Sequence, residues 1–259
     1  MTKSMNNFTL KDEIRSFWSD RAADFDLSVS HQIEPQFGVP EWHRFIETAF
    51  GLEGAQFNGQ KVLDIACGTG EISRVLVGLG ADVTAVDFSE TMLARAQEKL
   101  NDQTWRAVQA DAEALHPIVD STFDFAVTRH LAWTLTNPVT AYQEWRRVLK
   151  PGGQLLIVDG NWVAGKSNLQ RVKNWIADRI SERRPRSVKE ISAHRAIVSR
   201  LPYGAGLTAE RLQADLRLGG FQSFRLLEVD RLYRAGMRGH PIAARLRQSA
   251  ENRFAMVVQ

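Results

Sequence analysis

The chain has 259 residues, 44% hydrophobic and 24% charged, a balance that fits a globular fold and excludes disordered or fibrous classes. No apolar run reaches the roughly 18 residues of a membrane span. A single cysteine, Cys67, excludes an internal disulfide and any multi-cysteine metal site. The first ten residues have neither the apolar core nor the small-residue cleavage site of a secretion signal, so the cytoplasm is the expected location. The net charge of +3 is unevenly spread. From Asn161 to Gly206, ten Lys or Arg stand against three acids, a surplus of 7, so the remaining residues sum to −4.

In chain order, residues 1–58 read as helices, with Phe17 and Trp18 near the end of the first and Trp42 and His43 on the second. A strand is predicted over 61–66, running into the small-residue turn Ala66, Cys67, Gly68, Thr69, Gly70, with a helix from Glu71. A second strand covers 82–87 and ends in Asp87. Ser89 reads as the N-cap of a helix that runs to about Leu100. Further strands are expected near 104–109, 123–128 and 154–159, with Pro138 opening the helix between the last two and Pro151-Gly152-Gly153 closing it. Residues 160–206 form an insertion too long to be structureless, so it is expected to be helical. Thr208 caps a later helix ending at Gly219-Gly220. The alternation predicts an α/β fold with a parallel sheet covered on both faces. Four segments follow: a helical lid at 1–58, a cofactor-binding core at 59–159, a helical acceptor cap at 160–206, and the end of the core sheet at 207–259.

The turn after the first strand carries the chemistry. Small residues let backbone approach a ligand closely, and an acid ending the next strand, Asp87, is placed to hold the two hydroxyls of a ribose. A dinucleotide fingerprint reads G-x-G-x-x-G. Here Gly68 and Gly70 are followed by Ser73 rather than a third glycine, and Asp64 stands just upstream. A carboxylate there repels a pyrophosphate but suits a ligand with an ammonium group. S-adenosylmethionine, zwitterionic at its amino acid end and cationic at sulfur, meets that description.

With these residues the chain resembles the class I S-adenosylmethionine-dependent methyltransferases, in particular the group holding ubiquinone-biosynthesis C-methyltransferases and many small-molecule methyltransferases. The resemblance covers roughly residues 60–160 and extends to Gln109–Glu113, to Phe123–Thr128 and to Arg147–Asp159 with its Pro-Gly-Gly turn. It implies a doubly wound, Rossmann-like, seven-stranded, mostly parallel sheet, closed by an antiparallel strand pair at 221–229 and 253–259. Ala66 stands where the family loop has its first glycine, a substitute that fits if its φ is negative.

The resemblance also implies roles. Ala66, Cys67, Gly68 and Gly70 would grip the cofactor, with Asp64 orienting its amino group indirectly. Asp87 would hold the ribose, Phe88 and Met92 would pack on it, and Asp111 with Ala112 would flank the adenine. Arg129 or its backbone would contact the methionine part, and Trp18 and Phe25 would close over the cofactor from the lid. On the acceptor side stand Trp42, Trp133, Asp159, Trp162 and Tyr203. His130, just beyond the fourth strand, is the candidate general base because imidazole titrates near neutrality, although a structural hydrogen-bonded histidine is an equal alternative. No spaced ligand cluster for a metal is present.

The acceptor is expected to be a small molecule with an O, N, S or C nucleophile, possibly anionic. The Asn/Asp-Pro-Pro-aromatic motif of enzymes acting on exocyclic amines is missing after Thr128, arsenite methylation needs more thiolates than Cys67, and no carboxylate cluster for metal-dependent catechol chemistry can be placed. Nucleic acid is not the expected partner, nor is a membrane, and a monomer or homodimer is expected. Two alternatives stay open: an RNA methyltransferase using the basic insertion, densest at Arg183-Arg184-Pro185-Arg186, and a binder of S-adenosylmethionine that transfers no methyl or uses a modified cofactor.

Overall fold

The apolar runs after Lys61 and Asp82 pair in parallel, Val62 against Val83 and Asp64 against Ala85, because each is buried on both faces and needs cover above and below. The computed structural model describes residues 2–28, 30–52, 56–101, 104–163, 167–180 and 188–259. The Arg183–Arg186 run lies outside them. Seven strands form one sheet: β1 (Lys61–Ile65), β2 (Asp82–Asp87), β3 (Trp105–Gln109), β4 (Phe123–Arg129), β5 (Leu149–Asn161), β6 (Phe224–Leu227) and β7 (Asn252–Val258). Their order is β3-β2-β1-β4-β5-β7-β6. Only β7 runs antiparallel, pairing with β5 on one side and β6 on the other.

Ten helices accompany the sheet among the described residues: α1 (Thr2–Ser19), α2 (Gly38–Phe50), α3 (Glu71–Gly78), α4 (Glu90–Leu100), α5 (Pro138–Val148), α6 (Asn168–Arg179), α7 (Val188–Val198), α8 (Ala209–Leu218), α9 (Asp230–Gly236) and α10 (Ile242–Gln248). Successive strand residues point to opposite faces, and this sorts the core in two. Leu63, Ala126 and Ile157 pack with Tyr142, Trp145 and Leu212 on one side. Val62, Val127 and Val158 pack with Ile46, Val75 and Leu232 on the other.

The structure differs from the sequence expectation in two places. Pro151-Gly152-Gly153 does not precede β5 but lies within it: α5 stops at Val148, Leu149 pairs with Phe123, and a register shift carries the chain to Gln154 opposite Phe125. Between β6 and β7, where only extended chain or loop is legible, the chain forms α9 and α10. The insertion is helical through α6 and α7, as expected.

At the C-terminal end of β1 the turn is built from left-handed residues. Gly68 has φ +54° and Gly70 φ +81°, but Ala66 also sits at φ +58°, so the condition of a negative φ is not met. A side chain in that region costs about 1–2 kcal/mol. At Gly70 the constraint is also steric, since a Cβ would stand 3.1 Å from Ala96 Cβ and Leu100 Cδ1 of α4. Gly70→Ala is therefore expected to lower stability by about 2 kcal/mol, read as a reduced urea midpoint with unchanged slope. Ala66→Gly should raise it by up to about 1 kcal/mol, the relieved strain being partly offset by greater freedom of the unfolded chain.

Candidate active site

The C-terminal ends of β1, β2, β4 and β5 open into a cavity of about 950 Å³, near the upper end of the roughly 300–1,000 Å³ typical of ligand sites. At one end sit carboxylates. Asp87 accepts from the backbone N–H of Gly68 at 2.9 Å and of Ser89 at 2.8 Å, which fixes the end of β2 against the glycine turn. Burial pushes its carboxyl up to about 6. Asp64 accepts from Ser73 Oγ at 2.6 Å, and burial, reinforced by the charge of Asp87, pushes it up to about 7. Two acids so placed hold their negative charge at a cost that a cationic, hydroxyl-bearing ligand relieves. The one ammonium at the turn, Lys99, is spent on Asp26 at 2.8 Å and on Glu71.

An adjoining small cavity shares Ile14, Ala66, Asp87, Phe88, Leu131 and Thr134 and adds Ala110, Asp111 and Ala112, so the residues expected to flank an adenine lie beside the main cavity. Asp111 has a further task there. Its Oδ2 accepts from Lys11 Nζ at 2.6 Å and its Oδ1 from the N–H of Glu113 at 2.9 Å, so it fastens α1 to the edge of this small cavity.

The segment between α1 and α2 lies across the cofactor end. The Phe25 ring stacks on His31 at 3.9 Å, nearly parallel, and stands close to Gly68. Three fastenings hold the segment down. Thr69 Oγ1 donates to Asp26 at 2.6 Å, Ile33 N–H donates to Glu71 at 2.8 Å, and Arg74 donates to the carbonyl of Ile33 at 2.9 Å. Arg129 completes the clamp, donating to the carbonyls of Ser30 at 2.6 Å and His31 at 2.8 Å. Its guanidinium thus holds this segment down while Arg129 still lines the cavity.

The other end of the cavity is aromatic and cationic. Phe17, Trp18, Trp133 and Trp162 contribute walls, and α10 with the chain after it contributes Ala244, Arg247 and Arg253. His130 sits at φ +61°, a strained conformation for a residue with a side chain. Its N–H is held by the Val158 carbonyl at 2.9 Å, and Tyr233 Oη lies 3.5 Å from its Nε2. Burial and the charges of Arg129, His31 and Arg253 keep its pKa well below the usual imidazole value. The neutral ring therefore faces the cavity throughout the neutral range, which differs from the near-neutral titration expected from sequence.

Of the residues singled out in the sequence, Trp18, Phe25, Asp64, Ala66, Cys67, Gly68, Asp87, Phe88, Met92, Arg129, His130, Trp133 and Trp162 line this one cavity. Gly70 shapes the turn from behind. Three acceptor-side expectations need correction. Trp42 is buried in the second core face, beside Phe45 and under the Arg129 guanidinium. Tyr203 is buried between Tyr142 and Asp215, to which its hydroxyl bonds at 3.1 and 2.8 Å. Asp159 is fully buried and positions the walls instead of meeting a ligand, accepting from Trp162 Nε1 at 2.9 Å and from the Trp133 N–H at 3.4 Å. Residues that sequence reasoning did not reach are Asp26, Glu71 and Arg74 of the lid fastening, and Arg247 and Arg253. The proline before Ile242 was an available sign of a helix start.

Residues 63–157 match the family described as "methyltransferase domain". The chain is 32% identical over 148 residues to a demethylmenaquinone methyltransferase of Renibacterium salmoninarum, covering 57% of this chain and 59% of that protein. It is 35% identical over 159 residues to a ubiquinone/menaquinone biosynthesis C-methyltransferase of Shewanella woodyi, covering 54% and 61%. The chain thus spans about three fifths of the length of these curated relatives. Among solved structures, a DhpI complex with S-adenosylmethionine aligns with TM-score 0.55 at 21% identity over 96% of this chain and 97% of that one. Phosphoethanolamine N-methyltransferase 2 of Haemonchus contortus aligns with TM-score 0.60 at 17% identity, over 93% and 56%. At such identities the structures establish the fold alone, a fold also used by a [4+2]-cyclase aligned at TM-score 0.53. By the matched domain, the relatives and the sheet order together, residues 63–157 carry a methyltransferase domain, and the chain is similar over that core to the class I S-adenosylmethionine-dependent methyltransferases.

Proposed function

We propose that this chain transfers a methyl group from S-adenosylmethionine to a small acceptor bearing an anionic group on an aromatic or apolar body. The observation that carries this reading is the polarity of one cavity: carboxylates at the turn between β1 and α3, cations around His130. Among the described lining residues the far end holds one acid, Glu251, against Arg247 and Arg253. Arg247 is partly neutralised by Asp178 at 2.7 Å. Arg253 lies in the field of Glu251, donates to the carbonyl and side chain of Gln248, lies 4.1 Å over the Tyr233 ring, and leaves its buried Nε without a partner. An acceptor carboxylate or acidic oxygen supplies the acceptor that this Nε–H lacks.

When bound, S-adenosylmethionine supplies an electrophilic methyl on a sulfonium. The chain's part is to align and to dry the site. Asp87 retains lone pairs for the ribose hydroxyls after accepting from Gly68 and Ser89, and Asp64 favours the ammonium from beneath. Phe25 and the strap behind it exclude water above the turn. Trp133 and Trp162, held by Asp159, fix the acceptor's plane. Where the nucleophilic atom carries a proton, neutral His130 takes it at Nε2, the atom that Tyr233 faces. The basic insertion gives little support to an RNA acceptor. Of its described cations, Arg200 is paired with Glu13 and Arg179 covers Trp175.

Incubation with methyl-labelled cofactor and a metabolite extract, followed by anion exchange, is expected to place the label in retained small molecules. Label found only in unretained molecules or in RNA would refute the acceptor class. Asp87→Asn is expected to weaken binding of S-adenosylhomocysteine by about 1.5–3 kcal/mol in calorimetry. Protonating Asp64 and Asp87 removes the charge that the ligand seeks, so affinity should fall as pH drops, first below about 7 and then below about 6. An affinity that rises on acidification would contradict the assignment. His130→Ala should leave that affinity unchanged while slowing transfer to proton-bearing acceptors by roughly 10²–10⁴.

A further inference from the structure

Outside this cavity, arginines gather around a groove between α2 and α9. It has a volume of about 590 Å³ and shares no lining residue with the methyl-transfer cavity. Its walls carry Arg44, Arg231, Arg234 and Arg238 against one acid, Glu41. The surplus of three positive charges equals the net charge of the entire chain. Arg231, Arg234 and Arg238 recur at intervals of three and four residues along α9 and the turn after it, so they stack on one face.

The two pairs of arginines are held differently. Glu41 is buried, and its carboxylate is consumed by two guanidiniums, accepting from Arg44 Nη1 at 2.6 Å and Arg231 Nε at 2.7 Å. It fixes those two forks in place and leaves their outer N–H groups toward the groove. Arg238 is braced over the Phe37 ring at 5.6 Å, and neither it nor Arg234 has a carboxylate partner among the described residues. Glu34, the nearest acid on the preceding turn, is occupied by the N–H groups of Gln36, Phe37 and Gly38. Four guanidiniums around one carboxylate leave a surplus of positive charge facing the groove, and a guanidinium fork matches the paired oxygens of a phosphoryl group. The volume suits a small molecule rather than a single ion.

We infer that the groove between α2 and α9 is a second binding site, specific for a phosphoryl or pyrophosphoryl group. Arg44 and Arg231 are its fixed donors, and Arg234 and Arg238 close on the ligand. The shared chemistry can come from a free organic phosphate or from a phospholipid headgroup, and the test separates the two.

Calorimetry with inorganic pyrophosphate and co-sedimentation with phosphatidylglycerol vesicles are run on the parent chain. They are repeated on Arg234→Ala/Arg238→Ala and on a charge-matched control, Arg211→Ala/Arg217→Ala on α8. Both pairs lie on exposed surface, and binding of S-adenosylhomocysteine verifies that each variant is folded. The expected result is saturable pyrophosphate binding, weakened about tenfold per guanidinium removed in the first variant and unchanged in the control. Vesicle binding lost in the same variant would identify the headgroup as the source, and its absence would identify a free phosphate. No binding of either probe overturns the site. So does equal loss in both variants, which would mark a response to overall charge.

Discussion

The hydrogen bonds from the N–H groups of Gly68 and Ser89 to the Asp87 carboxylate tie three elements at one point: the end of β2, the turn leaving β1, and the start of α4. A carboxylate ending a strand is normally a liability inside a fold. Here burial raises its pKa, and two backbone donors compensate only in part. The remaining demand for positive charge and donors is directed into the cavity. Asp64, one strand over and buried with Ser73 as its donor, adds to it. On the proposed reading the fold stores an unmet electrostatic requirement at the ligand's place, and the parallel sheet brings both acids to the same edge.

The lid solves a related problem with the same means. Asp26, Glu71 and Lys99 form a charged cluster across the glycine turn, and Arg74 and Arg129 donate to carbonyls of the strap. These contacts connect residues tens of positions apart in sequence but only a few ångströms apart in space. Partly buried, they are screened less than surface pairs are.

What was legible in the sequence follows from which features are local. The acids of β1 and β2, the small-residue turn, the Ser89 cap and the core strands all announce themselves within a few residues, so they were found. Trp42 and Tyr203 were misplaced because aromatic content does not say which face of an element points at a cavity, and both point into the core. The hold of Arg129 on the strap was not foreseen because its partners there, two carbonyls, leave no mark in sequence. Helices α9 and α10 are seven residues each, too short for a hydrophobic period to stand out. The far wall of the cavity, with Arg247 and Arg253, was missed with them. The negative φ required of Ala66 was wrong for a different reason: the turn takes left-handed φ at Ala66 as well as at Gly68 and Gly70, and alanine is carried there at a strain.

The Thr69 hydroxyl that bonds Asp26 belongs to the small-residue turn after β1, so the segment between α1 and α2 is latched to the very turn proposed to hold the nucleoside. On the proposed reading, a nucleoside held at that turn leaves only after the strap lifts, a step separate from methyl transfer itself. The same latch runs through Lys99, Asp26 and Glu71, whose partial burial shields it from dissolved ions, so a segment that touches no reacting atom would keep its closure as salt rises.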